Sequence, residues 1–76
     1  MKSINISLDS IDKVKSFVNI ITTCAGDFDL TSERYVVDAK SIMGIFSLDL
    51  SKPLRLDIHD DNIYDELTKK LQGFIV

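Results

Sequence analysis

Apolar and polar positions change period several times along the chain, and each change marks an element. Ile4, Ile6 and Leu8 alternate with Asn5 and Ser7, the period-two pattern of a strand with one buried face. Ile11, Val14, Phe17, Val18, Ile21 and Cys24 then recur at steps of three, three, one, three and three, which collects them on one helical stripe. Asp9 and Ser10 stand before that stripe as cap residues, and Asp12 suits its first turn. Ala25-Gly26 is the expected stop, since glycine enters the left-handed conformation of helix C-termini without a Cβ penalty.

Phe28 and Leu30 alternate, Thr31-Ser32-Glu33 predicts a turn, and Tyr35-Val36-Val37 resumes an extended stretch, so the segment reads as a hairpin. Ser41 caps two helical turns through Ile42, Met43, Gly44, Ile45, Phe46, Ser47 and Leu48. Pro53 stops regular structure before Leu54-Arg55-Leu56-Asp57-Ile58, whose alternation predicts a fourth strand. Asp60-Asp61-Asn62 caps a last helix with Ile63, Leu67, Leu71 and Phe74 as its buried stripe. The order β-α-β-β-α-β-α predicts an α+β fold: a two-layer open-faced sandwich with a four-stranded antiparallel sheet, three helices on one face and water on the other.

Composition narrows the choice of function. The 76 residues have room for a single domain, 1–76, which should fold to roughly 4,700 Å² of accessible surface. Hydrophobic residues make up 45% and charged residues 28%, a globular balance with no linker or low-complexity tract. The net charge of −3 and pI near 4.8 oppose nucleic acid or an anionic membrane as the main partner, since both require a basic face. No apolar run approaches the ~20 residues of a membrane span, and no cationic-then-apolar secretory pattern is visible. A lone cysteine, Cys24, forms no internal disulfide, and the expected compartment is the reducing cytoplasm.

One His and one Cys cannot build a His/Cys zinc site, and no metal or cofactor is expected. Asp57, Asp60, Asp61, Asp65 and Glu66 lack the spacing and central glycine of a calcium loop and read as a solvated turn with capping carboxylates. Cys24 belongs to the core side of the first helix, with no base beside it. With no nucleophile-base pair and no glycine-rich phosphate loop, the chain is not expected to be an enzyme.

The run Tyr35-Val36-Val37-Asp38-Ala39-Lys40-Ser41-Ile42-Met43-Gly44-Ile45-Phe46-Ser47-Leu48 resembles the regulatory-serine region of HPr, the histidine-containing phosphocarrier of the bacterial sugar phosphotransferase system. Ala39-Lys40-Ser41-Ile42-Met43-Gly44 with Ser47-Leu48 is its most characteristic part, and the element order above is also that of the HPr fold. In such proteins a histidine at the first helix accepts phosphate from enzyme I, and a nearby arginine helps hold it. Counting back without a gap from Ser41 puts the histidine position on Ser10 and the arginine position on Asp12. Asp9 and Asp12 add negative charge where a phosphoryl group would need a cation. The resemblance therefore implies a member without the phosphoacceptor histidine, similar to the catabolite-repression HPr paralogues.

The resemblance further implies that Ser41 is phosphorylated by an ATP-dependent HPr kinase/phosphorylase. It implies that Lys40, Ile42, Met43 and Phe46 dock proteins: the kinase, a catabolite-control transcription factor or phosphotransferase components. On spacing alone, Ser41 is an N-cap and Lys40 is solvated, and the alternative for the apolar residues beside them is that all are core. A two-turn helix cannot bury every side, so at least one of the apolar residues is expected to be exposed, with Ile42 and Phe46 on a shared face. His59, the one imidazole, is the candidate acceptor for an alternative reading as a sugar-transport phosphocarrier; it ends the fourth strand next to Asp60 and Asp61, which oppose phosphate. A third reading is a constitutive interaction domain without phosphorylation.

Overall fold

One of the two inner strands of the sheet carries the apolar alternation read from the sequence. Leu54, Leu56 and Ile58 are fully buried, while Arg55 between them is exposed, so one face of this strand packs on helices. The computed structural model describes residues 2–76. In chain order the elements are β1 (Lys2–Ile6), α1 (Ile11–Ile21), β2 (Phe28–Ser32), β3 (Tyr35–Asp38), α2 (Ile42–Phe46), β4 (Leu54–Ile58), a 3-10 turn (Asp61–Ile63) and α3 (Tyr64–Lys70). The sheet order is β1-β4-β2-β3, with every neighbouring pair antiparallel.

The register places Ile4 opposite Leu56 and Leu30 opposite Leu56 on the other side. That row meets Val14, Phe17 and Ile21 of α1, Ile45 of α2 and Leu67 of α3 in one core. The result is an α+β open-faced sandwich with three helices on one side of a four-stranded antiparallel sheet. Its accessible surface of 4608 Å² agrees with the value that scaling with size assigns to a single domain of this mass.

Several boundaries depart from the sequence expectation. β1 ends at Ile6, and Leu8 is buried beyond it rather than within the strand. α1 stops at Ile21 instead of running to Ala25-Gly26. Its last carbonyls are taken by hydroxyls, Thr22 Oγ1 on Val18 O at 2.8 Å and Thr23 Oγ1 on Ile20 O at 2.6 Å, a local competition that ends helices early. Cys24 thus lies past the helix and is half-buried against the core. Gly26 adopts φ +105° in the loop that follows. Ile11 is 62% exposed; it sits on the stripe by period but in a first turn that the sheet does not cover.

Thr31 and Ser32 belong to β2, paired with Val36 and Tyr35, and the turn contracts to Glu33-Arg34. Glu33 takes the left-handed φ of 54° that so tight a connection requires. The final helix is split: the 3-10 turn carries Ile63, and α3 ends at Lys70, ahead of Leu71 and Phe74. Phe74 still reaches the core edge, meeting Phe17 edge-to-face with centroids 6.1 Å apart. The main chain beyond Gly73 turns to β1, where Ser7 N donates to Phe74 O at 2.8 Å and Val76 N to Asn5 O at 3.1 Å.

Candidate functional site

α2 is held by a short local chain of bonds. Ser41 is its N-cap: Oγ accepts from Gly44 N at 3.2 Å, and Ser41 N donates to Asp38 O at 3.0 Å. A Cβ on Gly44 would stand 3.2 Å from Ser41 Oγ and 3.3 Å from Val37 Cβ, so the glycine lets α2 sit close over β3. Because the Ser41 oxygen accepts from the backbone, its own O–H remains available at an exposed position.

Ile45 faces inward and is fully buried, and Leu48 is 7% exposed. Met43 is 77% exposed and Phe46 40%. Ile42 is half-buried and packed against the core, so the apolar surface beside Ser41 is formed chiefly by Met43 and Phe46, three residues apart, rather than by Ile42 and Phe46. Ile11 of α1, which the stripe argument assigns to the core, is exposed. No surface signal in the sequence distinguishes Ile11 from its buried stripe-mates.

Lys40 is not a free solvated lysine. Its Nζ donates to Cys24 O at 2.9 Å and to Gly26 O at 3.0 Å, and lies 5.4 Å from the centroid of the Phe28 ring. The ammonium therefore closes the α1–β2 loop onto the start of α2.

Ser10 is the N-cap of α1, its side chain accepting from Lys13 N at 3.1 Å. Asp12 is exposed in the first turn, and Asp9 pairs with Lys13 at 3.1 Å. No residue of this segment carries an imidazole or a guanidinium. A shallow cavity of about 220 Å³ lies beside it, between Asp12, Lys13 and Ser16 of α1 and Gly73-Phe74.

His59 is elsewhere: its Nε2 lies 2.8 Å from Asp29 Oδ2 at the end of the sheet. Asp29 shares the open face with Asp57, which accepts from Ser3 Oγ at 2.6 Å, Thr31 Oγ1 at 3.2 Å and Arg55 Nε at 2.9 Å. Burial opposes ionisation of Asp57, but bonds from Ser3, Arg55 and Thr31 and the guanidinium charge outweigh it and hold the carboxyl below its ordinary 3.8. This network was not foreseen, although the alternation of β4 already puts Arg55 and Asp57 on one face. Among the described residues no group of three His, Cys, Asp or Glu is arranged to hold a metal ion, and no helix is long and apolar enough to cross a membrane.

The open-faced β-α-β-β-α-β-α sandwich defines the fold class. No family model and no curated protein matches the chain. Among solved structures it is similar to HPr-C-His from Thermoanaerobacter tengcongensis, at 26% identity and a TM-score of 0.78, over 96% of this chain and 89% of that one. The fold is HPr-like, as the run around Ser41 implied.

Proposed function

We propose that this chain is an HPr-like regulatory or binding module, phosphorylated at Ser41 and docking protein partners through the surface around α2. The observation that carries the reading is the juxtaposition at α2: an exposed serine whose hydroxyl is a helix cap, followed by Met43 and Phe46 facing solvent. Phosphate at Ser41 brings about 1.5 to 2 negative charges beside that apolar pair, changing what can bind there without touching the buried Ile45. Exposed Met and Phe suit adaptable contact with proteins.

The proposal includes the loss of phosphocarrier activity, with Ser10 and Asp12 in the positions of the family's histidine and arginine. In this reading the partners are an HPr kinase/phosphorylase and, downstream, a catabolite-control transcription factor or phosphotransferase components, in a bacterial cytoplasm. His59 is a poor substitute acceptor, because the Asp29 carboxylate at 2.8 Å repels a phosphoryl group.

Incubation with an HPr kinase/phosphorylase and ATP is expected to add one phosphate by intact mass, absent in Ser41→Ala. No addition under conditions that modify an ordinary HPr refutes regulation at Ser41 and leaves the constitutive interaction domain. Acid-labile phosphate transferred from phosphoenolpyruvate through enzyme I, and lost in His59→Gln, would instead establish the phosphocarrier.

A further inference from the structure

The two outer strands of the sheet are finished differently. Part of the edge of β1 is occupied by the C-terminal residues, where Ile75 bridges Ile6 and Val76 N donates to Asn5 O. β3 has β2 on one side and no strand on the other, and Tyr35 and Val36 are 70% and 60% exposed. Among the described residues, no backbone hydrogen bond reaches Val36 from outside the sheet.

The tight turn sets the phase of that edge. Ser32 and Tyr35 flank the two-residue connection Glu33-Arg34, and the pair flanking such a turn is the hydrogen-bonded one. Tyr35 and Val37 therefore direct their main-chain groups at β2, and Val36 directs its N–H and C=O outward.

Two copies related by a twofold axis can join these edges only in registers that set a residue opposite itself. Centred on Val36, the pairing uses the outward groups, each Val36 N–H donating to the Val36 carbonyl of the other copy. The same register sets Arg34 opposite Asp38 twice and Tyr35 opposite Val37 twice, pairing opposite charges and an aromatic with a β-branched residue. Centred on Val37, the outward groups of Val36 and Asp38 would bond to one another, but Arg34 would stand against Lys40, two cations. Centred on Tyr35, the bonds would run between Arg34 and Val36, but Arg34 would lie opposite Val36 and Glu33 opposite Val37, matching no opposite charges. Arg34 is exposed and makes no ion pair among the described residues.

We infer that β3 is a self-association edge, pairing antiparallel with β3 of a second copy about Val36 to make one continuous sheet. The inference does not rest on phosphorylation at Ser41. The strand is four residues long and each copy carries −3, so the dimer is weak, with a dissociation constant on the order of 10 μM to 1 mM.

Sedimentation equilibrium and amide chemical shifts of the full chain, from about 10 μM to about 2 mM, test this. A monomer–dimer equilibrium is expected, with shifts concentrated at Arg34–Asp38. Arg34→Asp makes both charge pairs repulsive and is expected to raise the dissociation constant about tenfold; Val36→Lys does the same through the axis. Both positions are exposed, and unchanged thermal unfolding at low concentration verifies the fold. Arg34→Asp with Asp38→Arg restores both opposite-charge pairs and is expected to recover dimerisation. A chain monomeric throughout the range overturns the inference, as does a dimer whose shifts map to β1 or to Met43 and Phe46, or one insensitive to both Arg34→Asp and Val36→Lys.

Discussion

Arg55 holds Asp57 from two residues away on the same strand, Nε donating to Oδ1 at 2.9 Å and Nη2 to Oδ2 at 3.3 Å. Successive side chains of a strand alternate faces, so residues at this spacing stand side by side. Both lie on the face away from the helices, yet the Asp57 side chain is 8% exposed and that of Arg55 56%. Ser3 of β1 and Thr31 of β2 close over the carboxylate from either side, so one acid joins three of the four strands.

That carboxylate makes stability depend on pH in a definite direction. The folded-state pKa of Asp57 is depressed, so its contribution is fully present above the unfolded value near 3.8 and is lost as pH falls through the lower, folded value. Urea midpoints measured downward from pH 6 are expected to drop below about pH 4 less steeply in Asp57→Asn than in the parent chain. Asp49, also held low by Ser51 at the surface, titrates in both proteins, so the difference between the curves isolates Asp57. At neutral pH, Asp57→Asn is expected to cost about 1–3 kcal/mol, because a charge-assisted network becomes a partly satisfied one.

Lys40 gives a second test, in which a fold contact is separated from a binding role. Lys40→Met removes the bonds to Cys24 O and Gly26 O while keeping much of the stem over Phe28. A loss of about 1 kcal/mol is expected, allowing for screening by water. Faster amide exchange is expected at residues 22–27 in particular. Unchanged stability and exchange would show that the ammonium is not a structural tie.

The period-two and period-three patterns carried the element order because burial on one face imposes them. β4 and the Ser41 cap were readable for that reason. What they could not carry is anything set by chain segments far apart. The partners of Asp57 come from β1 and β2, 54 and 26 residues away, and those of Lys40 from 16 and 14 residues upstream. Ile11 shows the same limit: its place on the stripe follows from periodicity, but how far the sheet extends beneath that stripe does not. The early stop of α1 was local yet missed, since Thr22 and Thr23 hydroxyls compete for carbonyls that periodicity assigns to the helix ladder.

Ser41 carries a cap and a proposed modification at one atom, and substitutions can separate them. Ser41→Ala leaves Gly44 N without its acceptor and is expected to cost about 1 kcal/mol of stability. Ser41→Asp keeps an N-cap acceptor and is expected to lie within about 0.5 kcal/mol of the parent chain. Thermal unfolding reads both. If the charge regulates docking, Ser41→Asp changes partner affinity while stability stays put, whereas a constitutive interaction domain shows the same affinity in both.

The five residues of α2 divide sharply between fold and surface, and three substitutions should reveal the division. Ile45→Ala opens a cavity in the core beneath the helix and is expected to cost about 2–5 kcal/mol. Met43→Ser, at 77% exposure, is expected to leave stability within about 0.5 kcal/mol. Phe46→Ser, at 40% exposure, should cost about 1–2 kcal/mol, in proportion to the part of the ring that is covered. Urea unfolding orders the three as Ile45, Phe46, Met43, from most to least destabilised. Pull-down with a bound partner should give a different order: Met43→Ser and Phe46→Ser both weaken capture although Met43→Ser leaves the fold intact. Capture unaffected by Met43→Ser would mean that the exposed methionine lies outside the docking surface, and that the surface beside Ser41 is narrower than its exposed apolar residues imply.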